Sequence, residues 1–201
     1  MNRTDRAPVV AGLLLAAGGG HRLGGRPKAL LEHRGRPLVE HMVRVLRAGG
    51  CDRVHVVLGA AADEVRERAD LTGCTVTVNP GWTEGMGSSL RAGLGALAAT
   101  DADAALVLLV DQPGIGPEAV ARVRSACRSR AGLVAAAYGG ERGHPVLIGA
   151  DRWADVSAEA AGDRGARSYL RAHRDALGLV ECSDVAEAYD VDGPEDLRHL
   201  A

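Results

Sequence analysis

Apolar and polar positions alternate in two rhythms along the first two thirds of the chain. Short, nearly continuous apolar runs occur at Val9 to Leu15, Arg53 to Leu58, Cys74 to Asn79, Ala104 to Val110 and Leu133 to Tyr138. Runs of this kind predict strands of a sheet covered on both faces. Between them the apolar positions return at helical spacing. Pro37 opens a helix to about Ala48, with Leu38, Met42, Val45 and Leu46 on one face and Gly49-Gly50 as the stop. Further helices are predicted over Ala60 to Arg68, Ser88 to Leu97 and Pro117 to Arg128. The resulting order, β-loop-α-β-α-β-α-β-α-β, predicts an α/β fold: a three-layer, doubly wound, mostly parallel sheet with right-handed crossovers.

After Gly139-Gly140 the rhythm changes. PVLIG is a short strand, a small helix follows near Trp153, and a polar loop leads to a helix over Arg167 to His173. A strand over Leu177 to Cys182 and a helix over Pro194 to Leu200 close the chain. This part reads as an addition that covers one end of the sheet.

Composition narrows the function classes. The chain has 201 residues and a net charge of -2, which gives no general electrostatic case for nucleic acid or an anionic membrane. No apolar run approaches the ~20 residues of a membrane span. Arg3 and Arg6 ahead of VVAGLLLAA imitate a signal peptide, but Asp5 and Gly12 break that pattern and a buried strand fits better. Cys51, Cys74, Cys127 and Cys182 lack metal-ligand spacing, so a cytoplasmic protein with reduced thiols is expected. Lys28 stands out: 23 of the 24 basic residues are arginine, and this is the one lysine. Lysine is a compact point charge and arginine a flat fork, so the position reads as one that needs the point charge.

In open α/β sheets, ligands bind beyond the carboxyl ends of the strands. Three polar loops fall there: the glycine loop Gly18 to Gly25, Asn79 to Ser89, and Asp111. The glycine loop is neither a Walker loop nor a dinucleotide fingerprint, since Pro27 precedes Lys28 and Leu23 stands where the third glycine belongs. It still has the parts of a phosphate cradle: bare backbone N–H groups and Arg22. Asp111, fixed at a strand end, is placed either to hold Mg²⁺ or to shape a turn with Pro113. Gly85, Gly87, Ser88 and Ser89 open a helix, where Ser88 can cap and the N–H groups can meet an anion or a base edge. Trp82 is a packing anchor or a stacking surface. His144 either touches substrate or is structural. Asp192 with Glu195 forms a capping-box pattern.

Taken in order, LAAGGGHRLGGRPKALL, NPGWTEGMGSSLRAGL, LVDQPG, GHPVLIG, GDRGARSYL and DVDGPEDL resemble the nucleotidyltransferases of the molybdenum cofactor cytidylyltransferase and guanylyltransferase type. The resemblance spans nearly the whole chain. It implies a Rossmann-like, GT-A-like sheet with a small antiparallel C-terminal element, in one domain over 1–201. Residues 1–138 would be the nucleotide-binding part, and 139–201 the acceptor-binding part and closing helix. It also implies Mg²⁺-dependent attack of a phosphorylated acceptor, molybdopterin or a relative, on an NTP, with release of pyrophosphate. Leu15, Ala16, Ala17, Gly18, Gly19, Gly20, Arg22, Lys28, Asn79, Gly87, Ser88 and Ser89 would bind the nucleotide. Lys28, Arg22 and Asp111 would be catalytic, and Asp111 and Asp192 would hold the metal. His144, Asp163 and Arg164 would face the acceptor. In the family, L-A-A-G goes with cytidine transfer, so Ala17 points to CTP. A molybdoenzyme is the implied protein partner. GTP, a sugar or alcohol phosphate, and a non-catalytic nucleotide-binding role in molybdoenzyme maturation are the alternatives.

Overall fold

Strand β1 (Val10–Ala16) is buried along its whole length because its two faces feed two different cores. Val10, Leu14 and Ala16 point to one side, and Ala11, Leu13 and Leu15 to the other. The computed structural model describes residues 6–200; Arg3 and Asp5, on which the signal-peptide reading turned, lie outside them. In chain order the further elements are β2 (Glu32–His33), β3 (Arg36–Pro37), α1 (Leu38–Ala48), β4 (Val54–Leu58), α2 (Ala62–Arg68), β5 (Cys74–Val78) and α3 (Met86–Ala98). There follow β6 (Ala104–Leu109), α4 (Pro117–Ser125), β7 (Leu133–Tyr138), β8 (Glu141–Gly149), α5 (Trp153–Glu159), α6 (Arg167–Ala172) and β9 (Gly178–Glu181).

The seven-stranded sheet runs β5-β4-β1-β6-β8-β7-β9, and β2 and β3 form a separate antiparallel pair. Helices α1, α2 and α4 cover one face, and α3, α5 and α6 the other. On the second face α3 lies close over β1: a Cβ at Gly93 would come within 2.6 Å of the Leu13 side chain, so glycine sets the helix-to-sheet distance there. The order of strands and helices agrees with the expected α/β architecture, and the boundaries move by a few residues. Pro37 sits one residue ahead of its helix rather than in its first turn, and α4 ends at Ser125 rather than Arg128.

One expectation is corrected. The strand containing PVLIG does not cover an end of the sheet. It enters the sheet as β8, hydrogen-bonded antiparallel to both β6 and β7. It is the antiparallel member of a sheet whose other pairings are parallel. Its reversal brings Arg142 and His144 to the same edge as the carboxyl ends of β1 and β6, since Val107 pairs with Val146 and Ala104 with Gly149. The closing segment Pro194–Leu200 is a 3₁₀ helix.

Candidate functional site

The glycine loop follows β1 and curls tightly. Gly20 takes the left-handed conformation, and its carbonyl accepts the N–H groups of Leu23 and Gly25. A Cβ at Gly20 would stand 2.0 Å from the Arg26 carbonyl oxygen, so the loop can close only over glycine. Beyond it, Pro27 leads into a short 3₁₀ turn, Lys28–Leu30, that presents Lys28 inward.

There Lys28 meets the acidic residues of two distant segments. Its ammonium donates to Asp111 Oδ2 at 2.6 Å and also contacts Asp192 Oδ1. Arg22 is a more distant partner of Asp192, at 3.7 Å. The chain brings these groups together through backbone contacts. The Val191 N–H donates to the Asp111 carbonyl at 2.8 Å, and the Glu187 N–H to Gly114 at 3.1 Å. The turn after β6 is thereby docked onto the segment carrying Asp190 and Asp192. Gln112 Nε2 adds a bond to Asp190 Oδ1 at 2.7 Å.

The expected capping box is corrected here. Neither Asp192 nor Glu195 caps the closing 3₁₀ helix. Asp196 Oδ2 accepts the N–H groups of both Asp192 and Gly193, at 3.0 and 2.8 Å. The Asp192 carboxylate is therefore left for Lys28.

The electrostatics follow from this burial. Desolvation works against a charged Lys28, but the Asp111 and Asp192 carboxylates outweigh it and hold its pKa above the ordinary lysine value. Burial pushes the Asp111 carboxyl up. Lys28 pulls it down, and Asp190 and Asp192 add repulsion, so the net direction is upward.

Two contiguous cavities open at this edge of the sheet. The larger, about 550 Å³, is walled by Gly18, Gly19, Arg22, Lys28, Trp82 and Asp111 among others. The smaller, about 300 Å³, has an aliphatic floor that includes Leu90, Val107 and Ile148, with His144, Arg142 and Arg167 among its polar walls. Leu15, Met86, Leu109, Asp163 and Asp190 line both.

Most residues picked from the sequence are placed together. Leu15, Ala17, Gly18, Gly19, Arg22, Lys28, Ser89, Asp111, Asp163 and Asp192 line the larger cavity, and His144, Asp163 and Arg164 the smaller. Five take positions behind the wall. Ala16 faces the α1 side core, and Gly20 packs on Arg26. Gly87 lets the start of α3 approach the backbone of Ala160 and Ala161. Asn79 donates to Ser88 Oγ at 2.8 Å and to Ser89 Oγ at 3.1 Å. Ser88 is buried, and its hydroxyl lies against the Gly81 and Gly85 carbonyls. It therefore ties the Asn79–Gly85 loop together and does not cap α3, whose N-terminal boundary is Gly85.

His144 is held by its backbone, with Tyr138 Oη donating to its carbonyl at 2.6 Å. Burial, reinforced by Arg142 and Arg167, lowers its imidazole to about 4, so it is neutral at pH 7. Gln112, Arg142 and Arg167 were not singled out from the sequence. For Arg142 a signal existed: in an exposed-to-core strand, residues two apart share a face, and Arg142, His144, Val146 and Ile148 all line the smaller cavity.

A divalent cation suits the donor set in one specific way. Among the described residues no three or more His, Cys, Asp or Glu side chains form a metal cage. Asp111 and Asp192, however, already share one cationic group, the Lys28 ammonium. Two hard carboxylate oxygens fit Mg²⁺ or Mn²⁺ when substrate phosphate oxygens and water complete the coordination.

Residues 12–177 match the MobA-like NTP transferase domain. The chain belongs to that family. Within this MobA-like setting, it is 42% identical over 207 residues to the nicotine blue oxidoreductase of Paenarthrobacter nicotinovorans, with 100% of each chain covered. It is 28% identical to the molybdenum cofactor guanylyltransferase of Shewanella amazonensis, covering 94% of each chain. Among solved structures, the Rv0371C protein of Mycobacterium tuberculosis H37Rv in complex with manganese superposes with a TM-score of 0.78 at 26% identity, covering 95% of this chain and 97% of the other. No helix among the described residues is long and apolar enough to cross a membrane.

Proposed function

We propose that this MobA-like protein is a nucleotidyltransferase that moves CMP from CTP onto a phosphorylated acceptor of the molybdopterin class. The observation that carries the reading is the Lys28 ammonium held between Asp111 and Asp192 at the edge of a cavity walled by Gly18 and Gly19. The N–H groups of the glycine loop and the Arg22 fork bind the triphosphate. An acceptor phosphate oxygen forms a bond to the α-phosphorus, and the bond from that phosphorus to the bridging oxygen of the β-phosphate breaks, so that pyrophosphate leaves. Both the nucleophile and the leaving group are anionic, so the protein has charge to neutralise and no proton to abstract. Lys28 takes this part when a phosphate replaces a carboxylate as its partner. Asp111 and Asp192 would hold Mg²⁺, which when bound would supply further positive charge to the phosphates. Ala17 supports CTP: it is among the residues that line the larger cavity, and alanine leaves less room for a purine than glycine would. A molybdoenzyme is the partner that would receive the product.

The test is pyrophosphate release with each of the four NTPs and purified molybdopterin. CTP is expected to be preferred, and a GTP preference overturns the Ala17 argument.

A second reading is favoured by the full-length 42% identity to the nicotine blue oxidoreductase. In that reading the glycine loop holds the pyrophosphate of a reduced nicotinamide dinucleotide, and a conjugated dye is reduced by hydride transfer in the adjoining cavity. Consumption of NADH or NADPH with nicotine blue, and no pyrophosphate release with any NTP, would select it.

A further inference from the structure

The smaller cavity holds more polar capacity than a single reacting phosphate uses. Arg142, Arg164 and Arg167 line it and do not line the larger one. Among the described residues none of the three has a carboxylate within ion-pair distance, although most other arginines that form pairs do so along the surface. Arg167 and Arg171 work against the charge on Arg142, whose burial already lowers its pKa. Asp163 and Asp190 are shared with the larger cavity and so lie at the junction of the two. The acidic side chains Asp163 and Asp190 thus stand at the junction, and beyond them the smaller chamber has a cationic wall of its own, separate from Arg22 and Lys28.

Gln112 supplies an independent observation. It is 7% exposed and lines the same chamber. Its Nε2 is committed to Asp190, while its Oε1 is buried with no hydrogen-bond partner. That bond fixes the amide orientation, since a flipped amide would set two oxygens together. An unpartnered buried acceptor destabilises the fold, and a bound N–H or O–H donor removes that cost. His144 stays neutral beside the arginines, so the positive charge there is guanidinium.

Resting on the acceptor-transfer reading, we infer that the smaller cavity is a second anion subsite. Arg142 and Arg167 take a negative group of the acceptor other than its reacting phosphate, and Gln112 Oε1 accepts a hydrogen bond from an N–H or O–H on the acceptor body. The acceptor class is therefore a compact molecule with two separated anionic groups and a donor-bearing ring or chain. A simple alcohol phosphate, with its one phosphate, leaves Arg142 and Arg167 unmatched.

The probe is pterin-6-carboxylate, which carries a carboxylate and ring N–H donors but no phosphate. Its fluorescence is titrated with the full chain, with the double variant Arg142→Gln/Arg167→Gln, and with Gln112→Met. CTP binding is measured on each to show that the nucleotide side is intact. The wild type is expected to bind the probe, the double variant at least about tenfold more weakly, and Gln112→Met at least about fivefold more weakly, with CTP affinity within twofold. If the wild type does not bind the probe, or the double variant binds it equally well while still binding CTP, the inference is overturned. If CTP binding is also lost in the double variant, Arg167→Lys and Arg142→Lys, tested singly, replace it with the same criteria. The titration needs neither turnover nor an NTP. A failure of pyrophosphate release therefore removes the transfer reading and leaves this result standing, and the reverse holds too.

Discussion

The Lys28 ammonium lies 2.6 Å from Asp111 Oδ2, with the two side chains 14% and 19% exposed. The pair is largely withdrawn from water and is also the point where three loops meet. Lys28→Ala is expected to lower the rate of pyrophosphate release by about 10²–10³-fold, the usual cost of one preorganised charge. Lys28→Arg is expected to lose at least about tenfold, because a planar fork cannot take the place of a point charge between two carboxylates. In thermal unfolding, Lys28→Ala is expected to lower Tm by leaving Asp111 without its counter-charge. Adding Asp111→Asn to it is expected to restore Tm and not activity. Wild-type rates in Lys28→Arg would remove any special role for the lysine.

Two glycines two residues apart should separate folding from binding. Gly18 has nothing within 4 Å of a built Cβ, whereas at Gly20 that atom meets the Arg26 carbonyl and φ is +60°. Gly18→Ala is expected to leave Tm within about a degree, since open space adds no strain, and to weaken nucleotide binding by intruding on the phosphate path. Gly20→Ala is expected to cost about 2 kcal/mol or more of stability. Calorimetry and CTP titration on both variants check the pair. Equal effects on Tm would contradict it.

Asp196 positions the loop that carries Asp192. Asp196→Ala removes the acceptor for two N–H groups and is expected to lower Tm measurably, as the loss of a helix cap does. Manganese affinity should fall with it, because the Asp192 backbone is no longer fixed. Asp192→Asn should weaken manganese binding, and any fall in Tm should be smaller than for Lys28→Ala because Asp111 still pairs with Lys28. A drop in Tm without any change in metal affinity for Asp196→Ala would show that the loop is held by other contacts.

His41 gives the fold an acid-sensitive point away from the site. Burial lowers its pKa from 6.5 to about 4, with His33, Arg44 and Arg34 adding to the effect. The His33 ring stands edge-on at 4.5 Å. Between about 4 and 6.5 the unfolded chain binds a proton that the folded protein refuses. Stability is therefore complete above that window and declines as pH falls through it. A loss of about 1–2 kcal/mol between pH 7 and pH 4 is expected from this half-buried group. His41→Gln should flatten the dependence of Tm on pH. An unchanged slope would place the acid sensitivity elsewhere, for instance at His144, whose shift has the same sign.

The parallel strands were legible because a strand covered on both faces must be apolar at nearly every position, as in Ala104–Leu109. The placing of the glycine loop and Asp111 at one edge of the sheet was legible because each directly follows an apolar strand. Strand β8 was only half legible. Its last residues are apolar, but Glu141 to His144 are polar because they line a cavity or face solvent, so the run was cut short at its first apolar residue. Its place between β6 and β7 depends on long-range pairing that no local pattern encodes. The same reason hid the role of Asp196. It and Glu195 are adjacent acids, and only the fold decides which one turns back to the Asp192 N–H. Asn79 and Ser88 look like ligand contacts by type but their side chains hold their own loop, and Gly87 makes room for the backbone of Ala160 and Ala161.

The reversed strand gives this architecture a division of labour. On the proposed function, Gly18, Gly19 and Asp111 hang from loops after β1 and β6, strands whose spacing is locked by neighbours on both sides. Along β8, side chains at alternate positions step from Arg142 at the rim through His144 to Val146 and Ile148 at the floor. Exchanging residues on that one face would re-specify the second substrate while the chemistry of the first stays untouched. A scaffold wired this way can change what it modifies by editing a single strand.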